Sequence, residues 1–158
     1  MRHPPPSVLY RIALAGAVAL YLPALPGAGT EPDPEDLAAA FAAAGFEHTA
    51  DGRYIRCHED PPTLSYMPGR AEVTDLNGDG QPEVWITEGS TYCYGNTGTA
   101  FVLLTRDGSG WRKLLDEVGM QVILDTRHGG WPDIEVGGPG FEPFPVYRWD
   151  GKRYVPAS

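Results

Sequence analysis

Asp75, Asn77, Asp79, Gln81 and Glu83 stand at alternate positions of the stretch VTDLNGDGQPEVWI, with glycine at 78 and 80. Three acids and two amides within nine residues make an oxygen-rich loop, and no thiolate or imidazole lies in the run. Such a donor set suits a hard divalent cation, which takes six to eight oxygens at about 2.3 to 2.6 Å. Asp75, Asn77 and Asp79 offer side-chain oxygens and Gln81 its backbone carbonyl. Glu83 closes the shell directly or through a water, while Gly80 permits the sharp turn. Without an ion the same residues make an Asx-rich turn, since Asn, Asp and Gly favour turns unaided.

The loop is not an EF-hand. Its twelfth position is Ile86 where a bidentate Glu is required, and Pro82 opens a strand rather than a helix. Shifted by 50 positions, VTDLNGDGQPEVWI lies over ILDTRHGGWPDIEV, so that Val73 meets Ile123, Asp75 meets Asp125, Gly80 meets Gly130, Pro82 meets Pro132 and Glu83 meets Asp133. A DG turn follows each copy, in TRDGSGW and in RWDGKRY, with a connection seven residues shorter in the second. One supersecondary unit used twice explains the match.

The D-x-N-x-D-G-x-x-E pattern between strands resembles the calcium loop of FG-GAP and VCBS repeats, the blade units of integrin-type β-propellers. The resemblance covers about residues 70–115 well and about 120–155 in degenerate form. It implies structural calcium on Asp75, Asn77, Asp79, Gln81 and Glu83. In the second copy Arg127 replaces the amide and Gly129 the central acid, so that copy is expected to hold no calcium. Arg127 is expected to pair with Asp125 or Asp133 instead. Two units are too few to close a propeller ring.

Chemistry beyond the loop is sparse. There is no P-loop lysine, G-x-S-x-G elbow, H-E-x-x-H helix or Ser-x-x-Lys. His48, His58 and His128 are scattered and read as surface or loop residues. CHED at 57–60 reads as a solvated turn. Glu135 and Glu142 have the residue types of a glycosidase pair, but sequence gives no separation. Tyr92 and Tyr94 in STYCYGNTG, and Phe141 and Phe144 in GGPGFEPFP, form a candidate binding surface whose competing role is to complete a small core.

What positions these residues is a short chain of 158 residues, enough for one domain. MRHPPPSVLYR, then the uncharged apolar run Ile12 to Leu25, then PGAG, have the order of a secretion signal. The run is too short for a spanning helix of about 20 residues. Residues 1–29 are therefore read as a cleaved signal, leaving a single β-rich domain at 30–158 with no stable membrane span. Cleavage removes two of 12 basic residues and none of 21 acidic ones, for a net charge of −11. That charge argues against nucleic acid and anionic membranes. Cys57 and Cys93, the two cysteines of an exported chain, are expected to pair.

Asp33 can cap a helix over about 35–44 that Gly45 stops. Nine β-type runs follow, separated by Gly, Pro, Asn and Asp. The fold expected is mainly β (α+β): two related antiparallel units with one N-terminal helix packed on the sheet. The function expected is a periplasmic or extracellular binding or interaction module braced by calcium, with a protein or glycan partner. The alternative is a secreted hydrolase using carboxylates near the same loop.

Overall fold

The computed structural model describes residues 32–58, 66–140 and 143–157. The signal segment, the acids of CHED, Phe141 and Glu142 lie outside them. Helix α1 spans Pro34–Ala44. Asp33 caps it, its Oδ1 accepting from the amides of Glu35 and Asp36, each at 2.9 Å. Pro34 occupies the first turn, where its missing N–H is no loss, and Gly45 closes the C-terminus at φ 91°. The buried face carries Ala40, Phe41 and Ala44. Phe41 stacks on Tyr54 with ring centroids 3.8 Å apart. Tyr54 belongs to a minimal hairpin, β1 (Glu47–His48) and β2 (Tyr54–Ile55).

The rest of the chain is β-rich and antiparallel. Strands β3 (Met67–Thr74), β4 (Glu83–Gly89), β5 (Thr99–Asp107) and β6 (Gly110–Val118) form one four-stranded sheet in sequence order. Strands β7 (Met120–His128), β8 (Trp131–Gly137), β9 (Val146–Trp149) and β10 (Tyr154–Pro156) form a second in the same way. Gly119 alone joins the sheets. Its φ is 155°, and a Cβ there would lie 2.4 Å from a methyl of Val136, so no other residue fits without displacement.

The registers carry the 50-residue repeat into three dimensions. Arg70, Ala71, Glu72 and Val73 lie opposite Thr87, Ile86, Trp85 and Val84. In the second sheet Met120, Gln121, Val122 and Ile123 lie opposite Gly137, Val136, Glu135 and Ile134. Both DG turns are hairpins, closing Asp107 on Gly110 and Trp149 on Tyr154.

Side-chain alternation then shows how the layers stack. Val84, Ile86, Val102 and Leu104 lie beneath α1, with Phe41 and Phe46. Trp85, Phe101 and Leu103 point the other way, onto Trp131, Ile134, Val136 and Tyr154. Hence the residues equivalent to Val84 and Ile86, namely Ile134 and Val136, pack on the opposite face of the first sheet. The two sheets stack in the same sense, and α1 covers the face that has no preceding sheet. This explains the unbroken apolar run AFVLL of β5, since both faces of that strand are buried.

At the far face the charge pattern changes. Glu135 stands where the first unit has Trp85, and Arg148 where it has Thr105. Ionic groups therefore stand on the face of the second sheet turned away from the first.

Candidate functional site

Pro82 has no amide to continue the ladder, so β4 begins at Glu83 and the eight residues from Asp75 form a compact turn. Asp75 Oδ1 accepts from the amide of Gly78 at 2.8 Å and Oδ2 from that of Gly80 at 3.0 Å. Asn77 Oδ1 accepts from the amide of Asp79 at 2.8 Å, and Asp79 Oδ1 from that of Gln81 at 2.7 Å. Asn77 Nδ2 donates to Asp79 Oδ2 at 3.0 Å. Gly78 and Gly80 take positive φ of 79° and 85°, which a Cβ would oppose.

Glu83 differs from the other four. Its side chain is fully buried at the base of the turn. One oxygen accepts from the amide of Leu76 at 3.0 Å and the other from Thr105 Oγ1 at 2.9 Å. Burial pushes its carboxyl up to about 7; these two bonds oppose the rise, while the charges of Asp79 and Asp75 add to it. The five sequence-selected residues thus lie on one turn, with the buried acid as its floor. Among the described residues, no three acidic, His or Cys side chains meet in a ready metal cage. The oxygens are shared instead with backbone amides.

The second unit keeps the floor and discards the rest. His128 and Trp131 pair directly, so Gly129–Gly130 is a two-residue hairpin loop where the first unit has its oxygen-rich turn. Asp133, equivalent to Glu83, is also fully buried. It accepts from Thr126 Oγ1 at 2.8 Å and lies 2.6 Å from His128 Nδ1 and 3.4 Å from Arg148 Nε. Burial pushes its pKa up, but the bonds from Thr126 and His128 and the charges of His128 and Arg148 outweigh that and hold it below the usual carboxylate value. Thr105 and Arg148, at equivalent positions, therefore serve equivalent carboxylates.

One sequence expectation is corrected here. Arg127 does not pair with Asp125 or Asp133. Its guanidinium donates to the carbonyl of Gly130 at 2.7 Å and to that of Leu76 at 3.4 Å, tying the second hairpin to the first unit's turn. The residue before it in an extended strand points to the other face, so the odd-numbered positions of β7 do not deliver a cation to Asp133. His128 is an exposed residue at the end of β7, in keeping with the surface position expected of it, and its Nδ1 lies against Asp133.

At the opposite end of the sheets, Cys57 and Cys93 are bonded, with Cα atoms 6.1 Å apart. STYCYGNTG is not a plain loop: Ser90 caps a single helical turn, α2 (Thr91–Tyr94), followed by a 3-10 turn at Gly95–Thr97. Tyr92 stands exposed. Tyr94 turns inward, its hydroxyl donating to Glu88. Phe144 is half-buried against Gly137. The two aromatic segments meet where Gly138 approaches Thr97.

Sequence reasoning missed Glu88. It is buried at the end of β4 and accepts from the amides of Arg56 and Cys57 and from the hydroxyls of Tyr66 and Tyr94. The signal was available: an acid that continues the apolar run VWIT must find donors or unfold the strand.

A cleft of about 360 Å³ between β6 and β10 is lined by Lys113, Asp116, Glu117, Tyr147, Arg153 and Tyr154, among others. Its two acids are engaged, Asp116 by Arg56 and Lys113 and Glu117 by the hydroxyl of Tyr147. No family model, curated protein or solved structure matches this chain.

Proposed function

We propose that the chain is an exported, calcium-braced module that binds a protein or glycan and performs no catalysis. The observation that carries this reading is the floor of the turn, where Glu83 is buried with Asp75 and Asp79 close enough to disfavour its charge. A divalent cation among them would remove that repulsion. Asp75, Asn77, Asp79 and Glu83 would hold it through side chains and Gln81 through its carbonyl. The donor chemistry fits, and the Asn77–Asp79 bond is the contact that ligation exchanges. The likeness to FG-GAP and VCBS blade repeats rests on this loop pattern, and two four-stranded meanders stacked in the same sense are in keeping with it. Export is supported by the Cys57–Cys93 bond. Among the described residues, no helix is long and apolar enough to cross a membrane. Tyr92 and the neighbouring Phe144 segment offer the binding surface.

Extracellular calcium sites bind with Kd of about 0.1 to 1 mM, so about 10 mM calcium should add roughly 1.4 to 2.7 kcal/mol. Thermal melting should therefore rise by about 5 to 10 °C with calcium. Asp79→Ala should abolish the rise while the calcium-free protein still melts cooperatively. An equal rise in wild type and Asp79→Ala would remove the loop as the site.

A hydrolase is the second reading, favoured by one observation. His128 is bonded to a buried acid through Nδ1, which leaves Nε2 turned away from that acid on a half-exposed ring. That arrangement orients a general base. Turnover of a chromogenic ester or glycoside that His128→Ala abolishes would favour it over the binding module.

A further inference from the structure

We infer that the Cys57–Cys93 bridge is a reversible thiol-exchange site, in which Cys93 takes up a small-molecule thiol and Cys57 expels it again. The two halves of the bridge stand in different surroundings. Cys57 is 6% exposed, whereas Cys93 is exposed on α2. Exchange proceeds by attack of a thiolate on one sulfur with the other as leaving group, so access decides which sulfur is attacked. Of the two, Cys93 is the one that solvent reaches in the folded chain.

The step conserves atoms and electrons. A thiolate RS⁻ bonds to Cys93 Sγ, the bond between the two cysteines breaks, and its electron pair goes to Cys57 Sγ, which takes up the proton that the thiol released. The products are a mixed disulfide of Cys93 with R and a free Cys57 thiol. Two fates follow. A second thiol removes R as the disulfide RSSR and leaves both cysteines reduced, or Cys57, as thiolate, attacks Cys93 and returns RS⁻.

Glu88 and Ser90 favour the return. The buried carboxylate of Glu88 accepts from the Cys57 amide, 3.2 Å from each oxygen, and from the Arg56 amide at 2.8 Å. It also accepts from the hydroxyl of Tyr94, the residue after Cys93. Ser90 Oγ accepts from the Cys93 amide at 3.1 Å and lies 3.5 Å from Cys57 Sγ. None of these backbone and hydroxyl contacts needs the S–S bond. A freed Cys57 is therefore held beside Cys93, and reclosure is an intramolecular reaction between positioned groups. The adduct stands next to the exposed Tyr92, and so on the surface proposed above for binding, but the exchange itself does not rest on that reading.

Incubation of the folded chain with reduced glutathione, an acid quench and peptide mass analysis tests this. Wild type should carry one glutathione, on Cys93 and not on Cys57. When the desalted adduct is returned to neutral pH, glutathione should leave in a first-order reaction independent of protein concentration. Glu88→Ala should slow that release about tenfold, because the positioning is lost while both sulfurs remain. Tyr94→Phe should slow it less and serves if Glu88→Ala fails to fold, as judged by circular dichroism. An adduct on Cys57, or shared evenly between the cysteines, overturns the inference. So does a bridge inert to glutathione in the folded chain, or a release rate that both variants leave unchanged.

Discussion

Replacing Cys57 and Cys93 with serine should lower the free energy of unfolding by about 4 kcal/mol, the chain-entropy value for a bridge closing a loop of this length. The bonded residues are 36 apart in sequence, and their Cα separation of 6.1 Å lies within the range of unforced bridges. For a domain of this size the loss corresponds to a melting temperature lower by on the order of 15 °C. The bridge joins the segment after β2 to the helical turn α2, alongside the Glu88 carboxylate that bonds to both. Thermal unfolding of the double variant, and of wild type with and without reductant, reads the effect. Equal melting in all three would mean that the unfolded chain is already constrained or that the bridge does not form.

The second large effect should come from Glu88→Ala. This carboxylate is 2% exposed and accepts from Arg56 N at 2.8 Å, Cys57 N at 3.2 Å, Tyr66 Oη at 2.7 Å and also from the Tyr94 hydroxyl. Truncation leaves four donors facing a cavity. Each unsatisfied group costs about 1 to 3 kcal/mol, less whatever water entering the space recovers, so about 4 kcal/mol in urea unfolding is expected. Glu88→Gln keeps the shape but turns one acceptor into a donor, and its loss should fall between wild type and alanine.

The same network has an alkaline signature. Burial, then the bond to Glu88, pushes the Tyr94 hydroxyl up to about 12, and Tyr66 shifts in the same direction for the same two reasons. In the unfolded chain these tyrosines ionise near 10. A raised native pKa contributes stability that is full below pH 10 and is lost as pH climbs from 10 toward 12. Tyr94→Phe should flatten that decline. Its cost in the Glu88→Ala background should be smaller than in wild type, because the bond is already gone.

Much of the local structure was legible in the sequence. Asp33, Pro34 and Gly45 delimit the helix by capping chemistry that needs no tertiary context, and the two DG turns fix both hairpins. The ungapped 50-residue shift is a statement about register, and the ladders reproduce it at four successive pairs. The stacking order was not legible. Whether Val84 and Ile134 face each other or the same way depends on how two sheets meet, which strand alternation does not specify.

The site was legible in part for the same reason. The oxygen-rich turn is a local pattern, so its five residues could be named. That Glu83 is its buried floor, and that Arg148 serves the equivalent acid, depends on which side chains share a face across three strands. The expected pairing of Arg127 with Asp125 or Asp133 rests on nearness in sequence. In an extended strand Arg127 points instead toward the carbonyls of Leu76 and Gly130. Glu88 escaped notice because its donors come from 22 to 32 residues before it and from six after.

Isothermal titration calorimetry with calcium reads binding at the turn of residues 75–83. One site per chain is expected, with a Kd of about 0.1 to 1 mM, lost in Asp79→Ala and untouched by Asp125→Ala in the second unit. Absence of binding heat at millimolar calcium, or a site that survives Asp79→Ala, would contradict it and leave the turn held by its amide hydrogen bonds alone.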